Sequence, residues 1–261
     1  MPTSLRLIAV TDLHRSQQLY AELSGVITRM QPDVLALVGD FLDCMGLDHP
    51  QLTTQECATV IARFDVPEIV FVRGNHEDYN WNDFEDAWVA TGRKLVKLHG
   101  EAAAFSPAVL IGFPCYLGSD FAFAEGRPEL PYRPEVWLSK LLRQPGPPMR
   151  TLWLMHEPPA RTPLSAPNSP VAGNSDWNRA IERFSPLLTI SGHDHLTPLK
   201  TGIWHHRLGR VCVNVGQTDA GPLHYTFIEA EFPGDSPSLP SKMRVTAYPA
   251  GESVDVVGGS A

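Results

Sequence analysis

Five apolar runs in this chain end on residue types that can serve as metal ligands. Residues 7–10 lead into Asp12-Leu13-His14, and residues 34–38 into Gly39-Asp40. Residues 69–72 lead into Arg73-Gly74-Asn75-His76-Glu77. Residues 152–155 stop at His156, and residues 187–190 open onto Ser191-Gly192-His193-Asp194-His195. A buried strand that finishes on carboxylates, imidazoles and an amide places polar groups where packing alone wants none. Asp12, His14, Asp40, Asn75, His156, His193 and His195 together form a mixed nitrogen and oxygen set. Such a set suits Mn, Fe, Zn, Ni or Co and is too rich in imidazole for a Ca or Mg cage. Seven side chains are too many for one ion. They fit two divalent ions roughly 3.5–4 Å apart, with Asp40 shared between them. The Asp12/His14 and His193/His195 pairs, spaced i and i+2, are expected to point to one side of an extended segment.

The elements that must bring these residues together follow from the pattern around them. Residues 5–11, 33–38 and 68–72 read as strands buried on both faces. Helices at 16–31, with Ser16 as N-cap and Pro32 as stop, and at about 53–64 separate them. This β-α-β-α-β alternation implies a largely parallel sheet with right-handed crossovers, whose C-terminal strand ends open onto a ligand crevice. An amphipathic helix is expected at 80–91, ended by Gly92. Short strands follow, clearest at 95–98 and 109–113. Residues 115–133 and 157–170 read as long irregular segments of the length functional loops have. A helix at 134–143 precedes the strand at 151–155, and another at 176–184 precedes that at 187–190. Residues 202–207, 210–215, 223–231 and 242–247 read as successive, mainly antiparallel strands. One domain over 1–250 is expected, with a loose tail at 251–261.

Composition narrows the partners. With 43% hydrophobic and 19% charged residues over 261 positions, the chain is of the ordinary globular class. Its formal net charge is −8, and Lys and Arg are nowhere clustered. That argues against a docking surface for nucleic acid or an anionic membrane, both of which require concentrated basic charge. A small phosphorylated substrate stays open, because bound cations reverse the local field. The cysteines (Cys44, Cys57, Cys115, Cys212) form no C-x-x-C pair and read as reduced thiols of a cytoplasmic protein. No secretory signal and no membrane-spanning run is apparent.

D-x-H, G-D, G-N-H-E, a lone strand-end His and G-H-x-H, in that order from Asp12 to His195, resemble the calcineurin-like metallophosphoesterase superfamily. The resemblance implies an α/β fold, a four-layer αββα sandwich with two central mixed β-sheets. It also implies that Asp12, His14, Asp40 and His195 hold one metal, and that Asp40, Asn75, His156 and His193 hold the second. His76 is then the unligated imidazole beside the leaving group. The reaction implied is phosphoester hydrolysis, with a metal-bridging hydroxide as nucleophile and His76 as general acid. Arg15 and Arg161 are candidate clamps for the substrate phosphate. The subfamilies differ in detail: Asp43 stands where purple acid phosphatases carry Tyr, and G-D-F-L-D-C lacks the Arg-Gly of protein Ser/Thr phosphatases. A small phosphodiester substrate, such as a cyclic nucleotide, is therefore preferred. A phosphomonoesterase or protein Ser/Thr phosphatase is the rival enzyme reading. A non-catalytic metal-binding scaffold of the same fold is the rival of another class.

Overall fold

The computed structural model describes residues 3–42, 50–77, 80–105, 108–114, 151–165, 173–195, 202–205, 210–218, 221–233 and 240–256. Strands β1 (Thr3–Val10), β2 (Val34–Val38), β3 (Glu68–Val72) and β4 (Val96–Lys97) run parallel in one sheet. Joined to β1 on its other side are β11 (Tyr225–Phe232), β12 (Lys242–Tyr248) and β13 (Glu252–Asp255), all antiparallel. The order is β13-β12-β11-β1-β2-β3-β4. The second sheet has six strands. Its parallel centre is β6 (Ala108–Phe113), β7 (Thr151–Met155), β8 (Leu188–Ser191) and β10 (Val211–Asn214). The edges are antiparallel, β5 (Glu101–Phe105) beside β6 and β9 (Ile203–His205) beside β10.

Strand alternation decides which layer each side chain serves. Leu7 and Ala9 of β1, Val70 and Val72 of β3, and Leu152 and Leu154 of β7 all enter one core between the two sheets. Their neighbours Ile8, Val10, Ile69 and Phe71 face the other way. They meet the helices α1 (Gln17–Met30), α2 (Thr54–Ala62) and α3 (Trp81–Ala90) through Leu23, Ile27, Ile61, Phe84 and Trp88. Across the molecule Trp153 and Met155 pack on Trp177 and Ile181 of α4 (Ser175–Phe184). The layers are thus helix, sheet, sheet, helix, as the resemblance implied. Each large apolar side chain buried in these cores contributes about 1.5–3 kcal/mol.

Side-chain and backbone caps fix the ends of the first two helices. Ser16 accepts from Leu19 N and starts α1, and Gln31, left-handed at φ 46°, ends it one residue before Pro32. Thr53 and Glu56 form a capping box at the start of α2. No helix among the described residues is long and apolar enough to cross a membrane. The two cysteines described, Cys57 and Cys212, are free and buried.

The late strands, expected as successive and mainly antiparallel, divide between the sheets: β9 and β10 complete the second, whereas β11 joins the first beside β1, with β12 next to it. The stretch from Gly251, expected to be loose, supplies β13. Gly251 turns the chain with φ 72°, and Arg244 of β12 grips Asp255 at 2.9 Å. A strand at 101–105 was not singled out, because E-A-A-A-F is a half-exposed edge without the alternation of a covered strand. The expected helix at 134–143 and the irregular segment at 115–133 lie outside the described residues.

Candidate metal centre

The tips of β1, β2, β3, β7 and β8 gather at one edge, three from the first sheet and two from the second. Their backbone is unusual there. Among the described residues, the non-glycine positions with positive φ are Asp12, His14, Arg15, Asp40, Arg161 and His193, plus the helix caps Gln31 and Ser185. Left-handed backbone at such residues costs of order 1–3 kcal/mol each and persists where surroundings over-determine it. Here the surroundings are cross-links between tips. Asp12 N donates to Gly39 O at 2.9 Å, His14 N to Asp40 O at 2.9 Å, and Arg15 N to Phe41 O at 3.2 Å. Asp12 and His14 therefore do not share a side by lying on an extended segment. They meet because the chain turns left-handed at both.

Two groups of ligand-type atoms result. Asp12, His14 and His195 form one, and Asp40, His156 and His193 the other, each with its atoms within 4.8 Å of one another. His193 and His195 thus part company, the left-handed turn at His193 (φ 66°) removing the pleat that would have aligned them. The groups adjoin: His156 Nε2 is 3.0 Å from Asp40 Oδ2 and 3.9 Å from Asp12 Oδ1, while His195 Nε2 is 3.4 Å from Asp12 Oδ1. Asn75 Oδ1 is buried and has no hydrogen-bond partner. His76 stands at the mouth with its side chain 28% exposed. Its Nε2 is 4.0 Å from Asp40 Oδ2, and its ring is edge-on to His14 at 5.4 Å.

Two glycines make the approach possible. A Cβ on Gly39, itself at φ 90°, would lie 2.3 Å from His156 Nδ1. One on Gly74 would lie 2.0 Å from Asp40 Oδ1. Any side chain at either position would push the ligands apart.

Charge favours cations here. Burial presses Asp40 upward, yet the His156 imidazole and its contact win and hold the carboxyl down to about 2. Asp12 is likewise held well below the carboxylate range: burial opposes ionisation, but the contact with His195 and the charges of His156 and His14 prevail. His156 is the mirror case. Burial lowers it, but Asp40, Asp12 and the Val38 carbonyl carry it up to about 10. Its Nδ1 lies 2.9 Å from Val38 O and must donate there, which aims Nε2 at the carboxylates. Burial pushes His193 down to about 4 and lowers His14, so both are neutral, as ligands must be. Paired buried carboxylates, buried imidazoles, of which His156 is held in one tautomer, and an unsatisfied amide oxygen fit two resident divalent ions. Asp12, His14 and His195 would hold one, and Asp40, His156, His193 and Asn75 the other.

Arg15 is half-buried, and its charge reaches Tyr20 and Cys57 under the first helices. Arg161 is exposed, and its side chain makes no hydrogen bond or ion pair among the described residues. Neither is brought into the cluster. Two residues matter more than the sequence reading allowed. Glu77 is fully buried among backbone amides. Burial, with the charge of Asp40 behind it, presses it up to about 7. Gln217 was not singled out. Its Nε2 donates to Thr11 O, Val215 O and His224 O, tying the β1 tip to the start of β11. The position of Glu77 directly after His76 was the available signal for the first, and nothing in the sequence marked the second. Thr11 Oγ1 donates to Asp12 Oδ2, and His193 N donates to the same oxygen at 3.0 Å.

The profile of the calcineurin-like phosphoesterases matches residues 5–196. Among solved structures, a dimetal phosphatase from Danio rerio superposes with TM-score 0.60 at 16% identity, covering 98% of this chain and 99% of its own. GAP50, "the anchor in the inner membrane complex of Plasmodium", gives 0.58 at 14%, covering 98% and 90%. TT1561 of Thermus thermophilus gives 0.55 at 14%, covering 86% and 94%. At these identities the likeness is one of fold. No curated protein matches the sequence.

Proposed function

We propose, because the chain belongs to the calcineurin-like phosphoesterase family, that it hydrolyses small phosphoesters with two divalent transition-metal ions, diesters ahead of monoesters. The observation that carries this reading is the pair of ligand groups set side by side about Asp12 and Asp40. When bound, two such cations neutralise phosphoryl oxygens and bring the pKa of water toward neutrality. The chain's own residues do the rest. Asp40, left-handed and cross-linked, presents one carboxylate between the groups. His156 and His193 close the buried side, and His14 and His195 close the outer side. His76 is at the solvent mouth, where a leaving alkoxide departs, and its role is to donate a proton to that oxygen. Arg15, directly after His14 in the chain, and the exposed Arg161 are the arginines assigned to the phosphate. The net charge of −8 favours a small substrate such as a cyclic nucleotide over a polymeric nucleic acid. Buried, free Cys57 and Cys212 are in keeping with a cytoplasmic setting.

Parallel assays with bis(p-nitrophenyl) phosphate and p-nitrophenyl phosphate in Mn²⁺ test the preference, and faster turnover of the monoester overturns it. His76→Ala should keep its metals and lose roughly 10²–10⁴ in kcat. Unchanged turnover removes His76 from the reaction. A second reading, a metal-binding scaffold, is supported by the likeness to GAP50, which is described as an anchor. Two tightly bound ions with no turnover of any phosphoester would favour it.

A further inference from the structure

We infer that Glu77 is a positioning residue: it clamps the ends of β2 and β3 and so fixes Asp40 and the Asn75–His76 pair in one frame. Its Oε2 accepts from Asp40 N at 2.8 Å and Gly74 N at 2.5 Å, and its Oε1 from Phe41 N at 2.7 Å and Leu42 N at 3.0 Å. Two bonds on each oxygen occupy the four lone-pair sites of the carboxylate. The side chain is fully buried. Asp40 needs this partner, because at φ 53° its N–H has left the strand ladder and requires another acceptor. The clamp closes into a ring: Asp40 Oδ1 accepts from His76 N at 3.0 Å, one residue from Glu77 itself. One carboxylate thereby sets the backbone of a candidate shared ligand, while that ligand's own carboxylate sets the backbone of the candidate acid. With both oxygens taken up by backbone amides, Glu77 offers no ligand atom to a metal or substrate. Its role rests on the two-metal reading above, and it acts through Asp40.

The experiment compares wild type, Glu77→Gln and Val70→Ala, the last a β3 core change remote from the tips. Glu77→Gln keeps the shape but turns an NH₂ toward backbone donors. Mn²⁺ titration calorimetry should show a tenfold to hundredfold loss of affinity in Glu77→Gln, the range outer-shell partners command, and none in Val70→Ala. Wild-type affinity in Glu77→Gln overturns the inference, as does an equal loss in Val70→Ala. Amide exchange on metal-free wild type gives a second measurement, valid even should Glu77→Gln fail to fold. The amides of Asp40, Phe41, Leu42 and Gly74 should be strongly protected, and rapid exchange at them contradicts the clamp. Wild type that takes up fewer than two Mn²⁺ sinks the two-metal reading instead, and those four amides in the same sample still decide Glu77.

Discussion

The two halves of the pocket are built alike and finished differently. In the inner half Asp40, His156 and His193 are all buried, His156 being fully enclosed. His156 is aimed by the Val38 carbonyl, and Asp40 by the Glu77 carboxylate. In the outer half Asp12 and His14 are buried, but the side chain of His195 is 19% exposed. Thr11 Oγ1 and the His193 amide donate to Asp12 there, and Gln217 holds the Thr11 carbonyl. The difference teaches where the pocket trades with solvent. A closed group holds an ion as part of the structure, whereas a group with one open face can exchange ion, water and substrate.

The largest effect should come at Asp40, which the proposed reaction shares between the two ions. Asp40→Asn is expected to weaken both ions and cut activity by more than the ~100-fold that outer-shell changes reach. Metal analysis showing loss of a single ion would break the shared role. Separate damage comes next. His193→Ala should empty the inner group alone and His195→Ala the outer. A chelator should strip one equivalent from wild type quickly and the other slowly, and equal release rates would erase the distinction. A smaller effect concerns protons. With its folded pKa raised to about 10, His156 is protonated at neutral pH in the metal-free protein, so an incoming ion must displace that proton. Affinity at the inner group should therefore rise by up to about tenfold per pH unit between about pH 6 and 8. The outer group should rise less, because burial already keeps His14 neutral. The same shift stabilises the metal-free fold fully below the unfolded His value near 6.5. That contribution fades as pH climbs through about 10. Titrations at several pH values with the single-site variants check the slopes. The least effect belongs to the exposed Arg244–Asp255 pair on β12 and β13: Arg244→Ala should leave metal content and Tm where they were.

Much of this pocket was legible because strands covered on both faces leave unbroken apolar runs, and whatever interrupts them stands out. Asp12, Asp40, Asn75, His156 and His193 were visible on those grounds, and the family resemblance separated His193 from His195 before geometry did. What was hidden had no periodic signature. The left-handed turns at Asp12, His14 and Asp40 are imposed by bonds between tips distant in sequence, such as His14 N to Asp40 O. Glu77 looks like any charged loop residue until four amides are seen to surround it. The division of five tips between two sheets depends on β8 pairing with β7 and β10, a choice local pattern does not encode. Edge strands β5 and β13, half-exposed and weakly apolar, escaped for want of alternation.

Anomalous scattering from a crystal grown in Mn²⁺ tests the central claim most directly. Two peaks are expected roughly 3.5–4 Å apart, one among Asp12, His14 and His195, the other among Asn75, His156 and His193, with the Asp40 carboxylate between them. A single peak, or peaks that leave Asp40 to one side, would contradict it.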